Sequence, residues 1–183
     1  MLTVQNKHTL FEQWSRHWDL SREYLLEKSP PNLIRTRFLQ ACFPSSYFIV
    51  ILRHPISVSM ATLKWSRSSL DSLLEHWVLC HQLLESDRPH LKRVLLIRYE
   101  ELIRASAPLL EQVRSFLGLH SPAPAELDSN GNERYFAAWR SFTMRGEGRV
   151  IFRDLVAKYE RAVQEYGYSL CDCSQLLPSD RIS

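Results

Sequence analysis

Glycine is scarce and late in this chain: five in 183 residues, at positions 118, 131, 146, 148 and 167. The first 117 residues therefore hold no glycine-rich turn able to wrap a phosphate in backbone N–H groups, and no GxxxxGK(S/T) occurs to support a nucleotide kinase-like phosphotransferase. Cysteine is equally sparse. Of the four, Cys42 and Cys80 sit in apolar surroundings and Cys171 and Cys173 are separated by one residue, so free thiols are expected. No CxxC or HxxxH supplies further ligands, and His76 and His81, five apart, do not share a helical face; no metal is expected. No apolar run approaches the roughly 18 residues of a membrane span. The opening MLTVQNKHTL lacks a charged-then-apolar leader pattern, so a soluble, cytoplasmic chain is expected. Excess charge is missing too: 23 basic against 20 acidic residues give a net +3 and a pI near 8.7. That is too little for a nucleic-acid protein but suits a small polyanionic ligand.

What is present is enough hydrophobic content, 45%, for one globular domain over residues 1–183, with no internal repeat and no low-complexity tract. The organising stretch is YFIVILRHPISVSMA, residues 47–61. Six consecutive apolar residues read as a parallel-sheet strand covered on both faces. Arg53 follows at the carboxyl end, and Pro55 stops the strand while fitting the first turn of a helix. A guanidinium at a strand-to-helix turn is suited to an anion, because ligands of open α/β sheets bind beyond strand carboxyl ends and a helix start adds free N–H groups.

Around it the chain alternates. Residues 9–19 place Leu10, Trp14 and Trp18 at steps of four, a short amphipathic helix with core-packing tryptophans. Residues 24–27 read as a short strand ending at Lys28, and 33–42 as a helix on which Arg35 and Arg37 are solvated. Residues 70–84 form a helix, 94–97 a second buried strand closed by Tyr99, and 107–117 a helix capped by Gly118. Residues 121–134 read as an exposed connection, 135–144 as a lid or packing helix, 145–149 as a glycine-hinged loop with Arg145 and Arg149, and 154–166 as a terminal helix.

In family order, three segments resemble sulfotransferases that use 3′-phosphoadenosine 5′-phosphosulfate (PAPS), closest to bacterial, carbohydrate and protein-tyrosine members. LLEKSPPN with Phe43-Pro44 is similar to their EK(S/T)P-to-FP segment, FIVILRHPISVSMA to their 3′-phosphate element, and LLIRYEEL followed by SFLGL to their RYE(D/E)L strand and FLG helix end. Tyr166-Gly167-Tyr168-Ser169-Leu170 resembles a carboxyl-terminal GYxL. The resemblance implies a three-layer α/β fold with a central parallel sheet between helices. It also implies transfer of a sulfuryl group to a hydroxyl or amine of a carbohydrate, protein tyrosine or small molecule. By the same resemblance Lys28 is catalytic on the leaving phosphosulfate, Arg53 holds the 3′-phosphate and Tyr99 the adenine. A partial match to a basic RKG-type loop adds Arg145 to the nucleotide contacts.

Two departures shape the expectations. The family's serine eight positions after the phosphate arginine is Ala61 here, leaving Ser57 or Ser59 as the substitute hydroxyl. No glycine-rich phosphosulfate loop precedes Lys28, so the chain is expected to represent a sulfotransferase domain without its first strand and loop, turning over poorly and self-associating through an exposed sheet edge. A catalytically silent domain that keeps the fold is the alternative. Glu27, His17 and His54 are the local candidates for the base.

Overall fold

The computed structural model describes residues 4–120, 131–179 and 181, and the expected connection therefore lies, for residues 121–130, outside the described residues. Contacts divide the chain into two compact units, Met1–Phe48 with Leu83–Val94, and Ile49–Gln82 with Leu95–Ser183.

The first unit is built on aromatic contacts. Helix α1 spans Val4–Ser15, earlier than the helix over residues 9–19 that the steps of four suggest. Trp14 stacks on Phe43 with centroids 5.7 Å apart, and Trp18, past the helix end, meets Trp14 edge-on at 5.6 Å. The Trp18 indole N–H donates to the Leu26 carbonyl at 2.9 Å. Residues 24–27 consequently form no strand: the backbone acceptor at Leu26 goes to a side chain, Leu26 is 82% exposed, and among the described residues no neighbouring strand pairs with the segment. Prolines 30 and 31 start a 3-10 turn, Pro30–Ile34, and Arg35 leaves helical geometry at φ −129°, so the helix expected from residue 33 begins as α2 at Thr36–Cys42. Thr36 Oγ donates to Asp87 at 2.9 Å, while Gln40 donates to the His90 carbonyl and accepts from Lys92 N–H.

The second unit carries the sheet. Strands β1, Phe48–Leu52, and β2, Val94–Arg98, form a parallel pair flanked by helices, and no third strand joins them among the described residues. Val50, Leu52, Leu96 and Ile97 are buried. Ile51 is 52% exposed, so β1 alternates and is not covered on both faces as its unbroken apolar run suggested. Helix α3, Pro55–Thr62, follows β1 and buries Ile56, Ser57 and Ser59. Helix α4, Leu70–Asp87, contributes Leu74, Trp77 and Val78 to the core. Helix α5, Tyr99–Arg104, starts directly at the end of β2, and α6, Ser106–Leu117, ends at Gly118 in the left-handed region at φ 70°, the expected cap. Helix α7, Glu133–Thr143, packs its buried Tyr135, Phe136 and Trp139 between α3 and the last helix, α8, Gly146–Gln164. The expected glycine-hinged loop is therefore the first turn of a helix. Gly148 is buried there because a Cβ would collide with the Phe142 carbonyl.

After α8 the chain folds back through Tyr166, Tyr168 and Leu170, each at most 1% exposed. Gly167 makes that reversal at φ +77°, with room for no side chain between Arg98 and Leu177. Trp139 donates to the Leu170 carbonyl at 3.2 Å, locking the returning segment under α7. Among the described residues no helix is long and apolar enough to cross a membrane, and no group of three or more His, Cys, Asp or Glu is placed to hold a metal.

Candidate functional site

The corner between β1 and α3 is set by what each backbone group needs. Pro55 has no N–H, and the Ile56 N–H is taken by His54 Nδ1 at 3.2 Å, a side-chain cap from the residue before the helix. Because Nδ1 accepts, the proton of the neutral imidazole sits on Nε2, which donates to the Ser169 carbonyl at 3.2 Å. His54 is fully buried, edge-on to Phe136 and Tyr168, and burial pulls its pKa down to about 4 against the smaller opposing pull of the Ser169 carbonyl and Asp172. With both nitrogens engaged it is a structural cap and not the base.

Arg53 is half-buried at this corner. Its Nε–H donates to Asn132 Oδ1 at 2.8 Å and Nη2 to the Gly131 carbonyl at 2.7 Å, leaving three of the five guanidinium N–H groups without a protein acceptor among the described residues. The guanidinium lies 4.5 Å from the centroid of Tyr99, and the Trp77 indole holds the Arg53 carbonyl at 3.1 Å. Behind it runs a chain of bonds with only one workable polarity. A carboxylate accepts only, so the Asn132 atom 2.6 Å from Glu100 Oε1 is the NH2, and the atom facing Arg53 is the oxygen. Glu100 also accepts from the His54 backbone N–H at 3.0 Å and from the Tyr168 hydroxyl at 2.9 Å. Burial, reinforced by Glu100, raises the Tyr168 pKa, which keeps that hydroxyl a donor.

Positive charge collects beside this relay. Tyr135, buried on α7, has three cations within reach of its ring: Arg134 at 4.6 Å, Lys64 at 5.4 Å and Arg53 at 5.6 Å. Arg134 also donates to the Tyr135 hydroxyl at 2.7 Å.

The structure thus brings Arg53 and Tyr99 together in the second unit, Tyr99 as the first residue of α5 and not the last of β2. Ser59 is in the same unit but only 1% exposed, its hydroxyl without a partner among the described residues. Arg145 is exposed at the start of α8. Lys28 belongs to the first unit, exposed and in no ion pair among the described residues. Sequence reasoning missed Glu100, Asn132, Lys64 and Arg134. Glu100 lay inside the recognised RYEEL run; Asn132, expected in an exposed connection, is 5% exposed and had no periodicity to reveal it.

Residues 2–123 match the Sulfotransferase family, two thirds of the chain, and the chain belongs to that family. A solved structure, the sulfotransferase domain from the curacin biosynthetic pathway, superposes with a TM-score of 0.51 at 17% identity over 84% of this chain, which supports the fold. This chain spans 66% of that structure's length. Comparison with curated proteins gives no match.

Proposed function

We propose that this chain binds PAPS and transfers its sulfuryl group to a hydroxyl or amine acceptor. The observation that carries the reading is the Arg53 corner: a guanidinium fixed through Nε and one Nη2 proton, with three donors left for a phosphate, beside an aromatic ring. Charge-assisted bonds from such a group are the strong kind, and a guanidinium matches a phosphate's oxygens better than an ammonium does. Arg53 takes the 3′-phosphate. Tyr99, one face covered by Arg53, offers its remaining face or edge to the adenine. Lys28, exposed and in no ion pair among the described residues, serves as the cation on the leaving phosphosulfate, a role supported by its place in the EKSP segment. The hydroxyl of Ser59 would join the phosphate only if the start of α3 opened, and Arg145 stands as an outer contact.

In the reaction the sulfur–oxygen bond to the phosphate breaks and a bond from sulfur to the acceptor oxygen or nitrogen forms. The electron pair leaves with 3′-phosphoadenosine 5′-phosphate, and the acceptor's proton goes to a base. Lys28 contributes by meeting charge that grows on the bridging oxygen, which lowers the barrier more than it tightens ground-state binding.

A second reading, a silent nucleotide-binding domain, is favoured by one observation. The anion next to the first turn of α3 is the chain's own Glu100, bonded to the His54 N–H. A thermal-shift comparison of 3′-phosphoadenosine 5′-phosphate with ATP tests the nucleotide assignment: stabilisation by the former alone supports it, and equal or no response refutes it. Transfer of labelled sulfate from PAPS to a panel of hydroxyl and amine acceptors then separates enzyme from silent domain.

A further inference from the structure

Arg53 carries a full charge at the end of β1, yet among the described residues no ion pair joins it to a carboxylate. The carboxylate in its hydrogen-bond network, Glu100, stands one amide away. Glu100 Oε1 accepts from the Asn132 NH2 at 2.6 Å, and Asn132 Oδ1 accepts from the Arg53 Nε–H at 2.8 Å. Orientation passes along these two bonds, but charge does not. A carboxylate touching the guanidinium would fix it as well and would neutralise it, whereas a neutral amide fixes it and leaves its charge in force. Such an amide needs an anchor, because alone it can present either its oxygen or its NH2. Glu100 supplies one: Oε1 also holds the His54 N–H at 3.0 Å and Oε2 the Tyr168 hydroxyl at 2.9 Å, so the carboxylate is set from the β1–α3 corner and from the carboxyl-terminal fold-back. Gly131 holds the other edge of the guanidinium. A Cβ there would collide with the Tyr99 hydroxyl, so only glycine brings this backbone close enough for its carbonyl to take Arg53 Nη2 at 2.7 Å.

We infer that Asn132 is a positioning residue for Arg53, a neutral spacer that Glu100 holds in one orientation so that the guanidinium is aimed without being neutralised. Its consequence, affinity for a 3′-phosphate, rests on the nucleotide reading; the aiming itself is a property of the free protein. Glu100→Gln should preserve it. The glutamine oxygen can take the place of Oε1, facing both the His54 N–H and the Asn132 NH2, while its own NH2 donates to the Tyr168 hydroxyl oxygen. Glu100→Ala removes the anchor, and Asn132→Ala removes the spacer.

The test uses the full chain and these variants, with circular dichroism to check each fold and Asn132→Ser in place of Asn132→Ala should the latter not fold. Without ligand, nitrogen-15 relaxation of the Arg53 Nε–H, assigned by its loss in Arg53→Lys, should give an order parameter near about 0.85 in the parent and Glu100→Gln and below about 0.6 in Asn132→Ala and Glu100→Ala. With ligand, calorimetry compares 3′-phosphoadenosine 5′-phosphate with AMP, which lacks the 3′-phosphate. The parent's preference for the former should fall about three- to tenfold in Asn132→Ala, hold within about twofold in Glu100→Gln, and fall further in Asn132→Asp, where a carboxylate faces the guanidinium. In an Arg53→Ala background, Asn132→Ala should change the preference no further. An Nε–H as ordered in Asn132→Ala as in the parent overturns the inference. So does an Asn132→Ala loss that persists without Arg53, or an Asn132→Asp variant that discriminates as well as Asn132→Ala. A parent with no preference defeats the nucleotide reading instead, and the relaxation measurement then decides the positioning alone.

Discussion

Lowering the pH from 7.5 to 5 should destabilise this protein through two buried histidines. His54 is fully buried and His81 is 6% exposed, stacked on Trp77 at 3.9 Å with Nδ1 donating to the Trp77 carbonyl at 2.6 Å. Burial brings each pKa down to about 4 from 6.5, against the weaker opposing pull of the carbonyl each one contacts. For His54 the cost has a structural form: a proton on Nδ1 would face the Ile56 N–H and abolish the cap of α3. A depressed folded pKa means that the unfolded chain takes up the proton first, so the contribution is fully present above pH 6.5 and is lost as the pH falls towards 4. Each histidine then removes about 1.4 kcal/mol per pH unit, and by pH 5 the two together remove about 4 kcal/mol. That is a large share of a domain stability of about 5–15 kcal/mol. The lowered carboxyl groups of Asp19, Asp71 and Asp172 lose their contributions only below 3.8, outside this window. Urea titrations at pH 7.5, 6.5, 5.5 and 5 should give a plateau, then a slope approaching about 2.7 kcal/mol per unit, halved in His81→Gln. Equal stability at pH 7.5 and 5 would refute the reasoning.

Three further outcomes follow from the geometry. Asn132→Asp sets a carboxylate oxygen against Glu100 Oε1 and should cost about 1–3 kcal/mol, of which adding Glu100→Gln should recover only part, because the His54 N–H donates to the same Oε1 and would face the new NH2; an Asn132→Asp variant as stable as the parent in urea would show the polarity is misassigned. Gly167→Ala must place a Cβ 2.5 Å from both Arg98 Nη1 and the Leu177 carbonyl at φ +77°, so a loss of about 1–3 kcal/mol is expected, and an unchanged melting midpoint would contradict it. Lys28→Ala should slow sulfuryl transfer by about 10²–10³-fold with little change in nucleotide affinity, and an unchanged rate would return Lys28 to a solvated turn.

Much of the fold was legible because local rules and packing agreed. The apolar run ending at Arg53-His54-Pro55 could only stop a strand and start a helix, and Gly118 could only be a cap. Residues 24–27 misled because a short apolar segment satisfies its backbone in more than one way, here through the Trp18 indole. The glycines at 146 and 148 read as a hinge, but Gly148 is required for close approach to Phe142 inside a helix. At the site, Arg53 and Tyr99 were legible as side chains at strand ends. Asn132, Lys64 and Arg134 were not, since their proximity is created by α7 packing on α3, a contact between segments some 70 residues apart that no local pattern announces.

The central claim is that Arg53 binds the 3′-phosphate of a nucleotide, and calorimetry of 3′-phosphoadenosine 5′-phosphate with the parent chain and Arg53→Ala tests it most directly. Losing one or two charge-assisted hydrogen bonds, about 1.5–3 kcal/mol each, should weaken binding at least tenfold, with Arg53→Lys recovering only part because an ammonium lacks the planar fork. Equal affinity in the parent and Arg53→Ala would contradict the account.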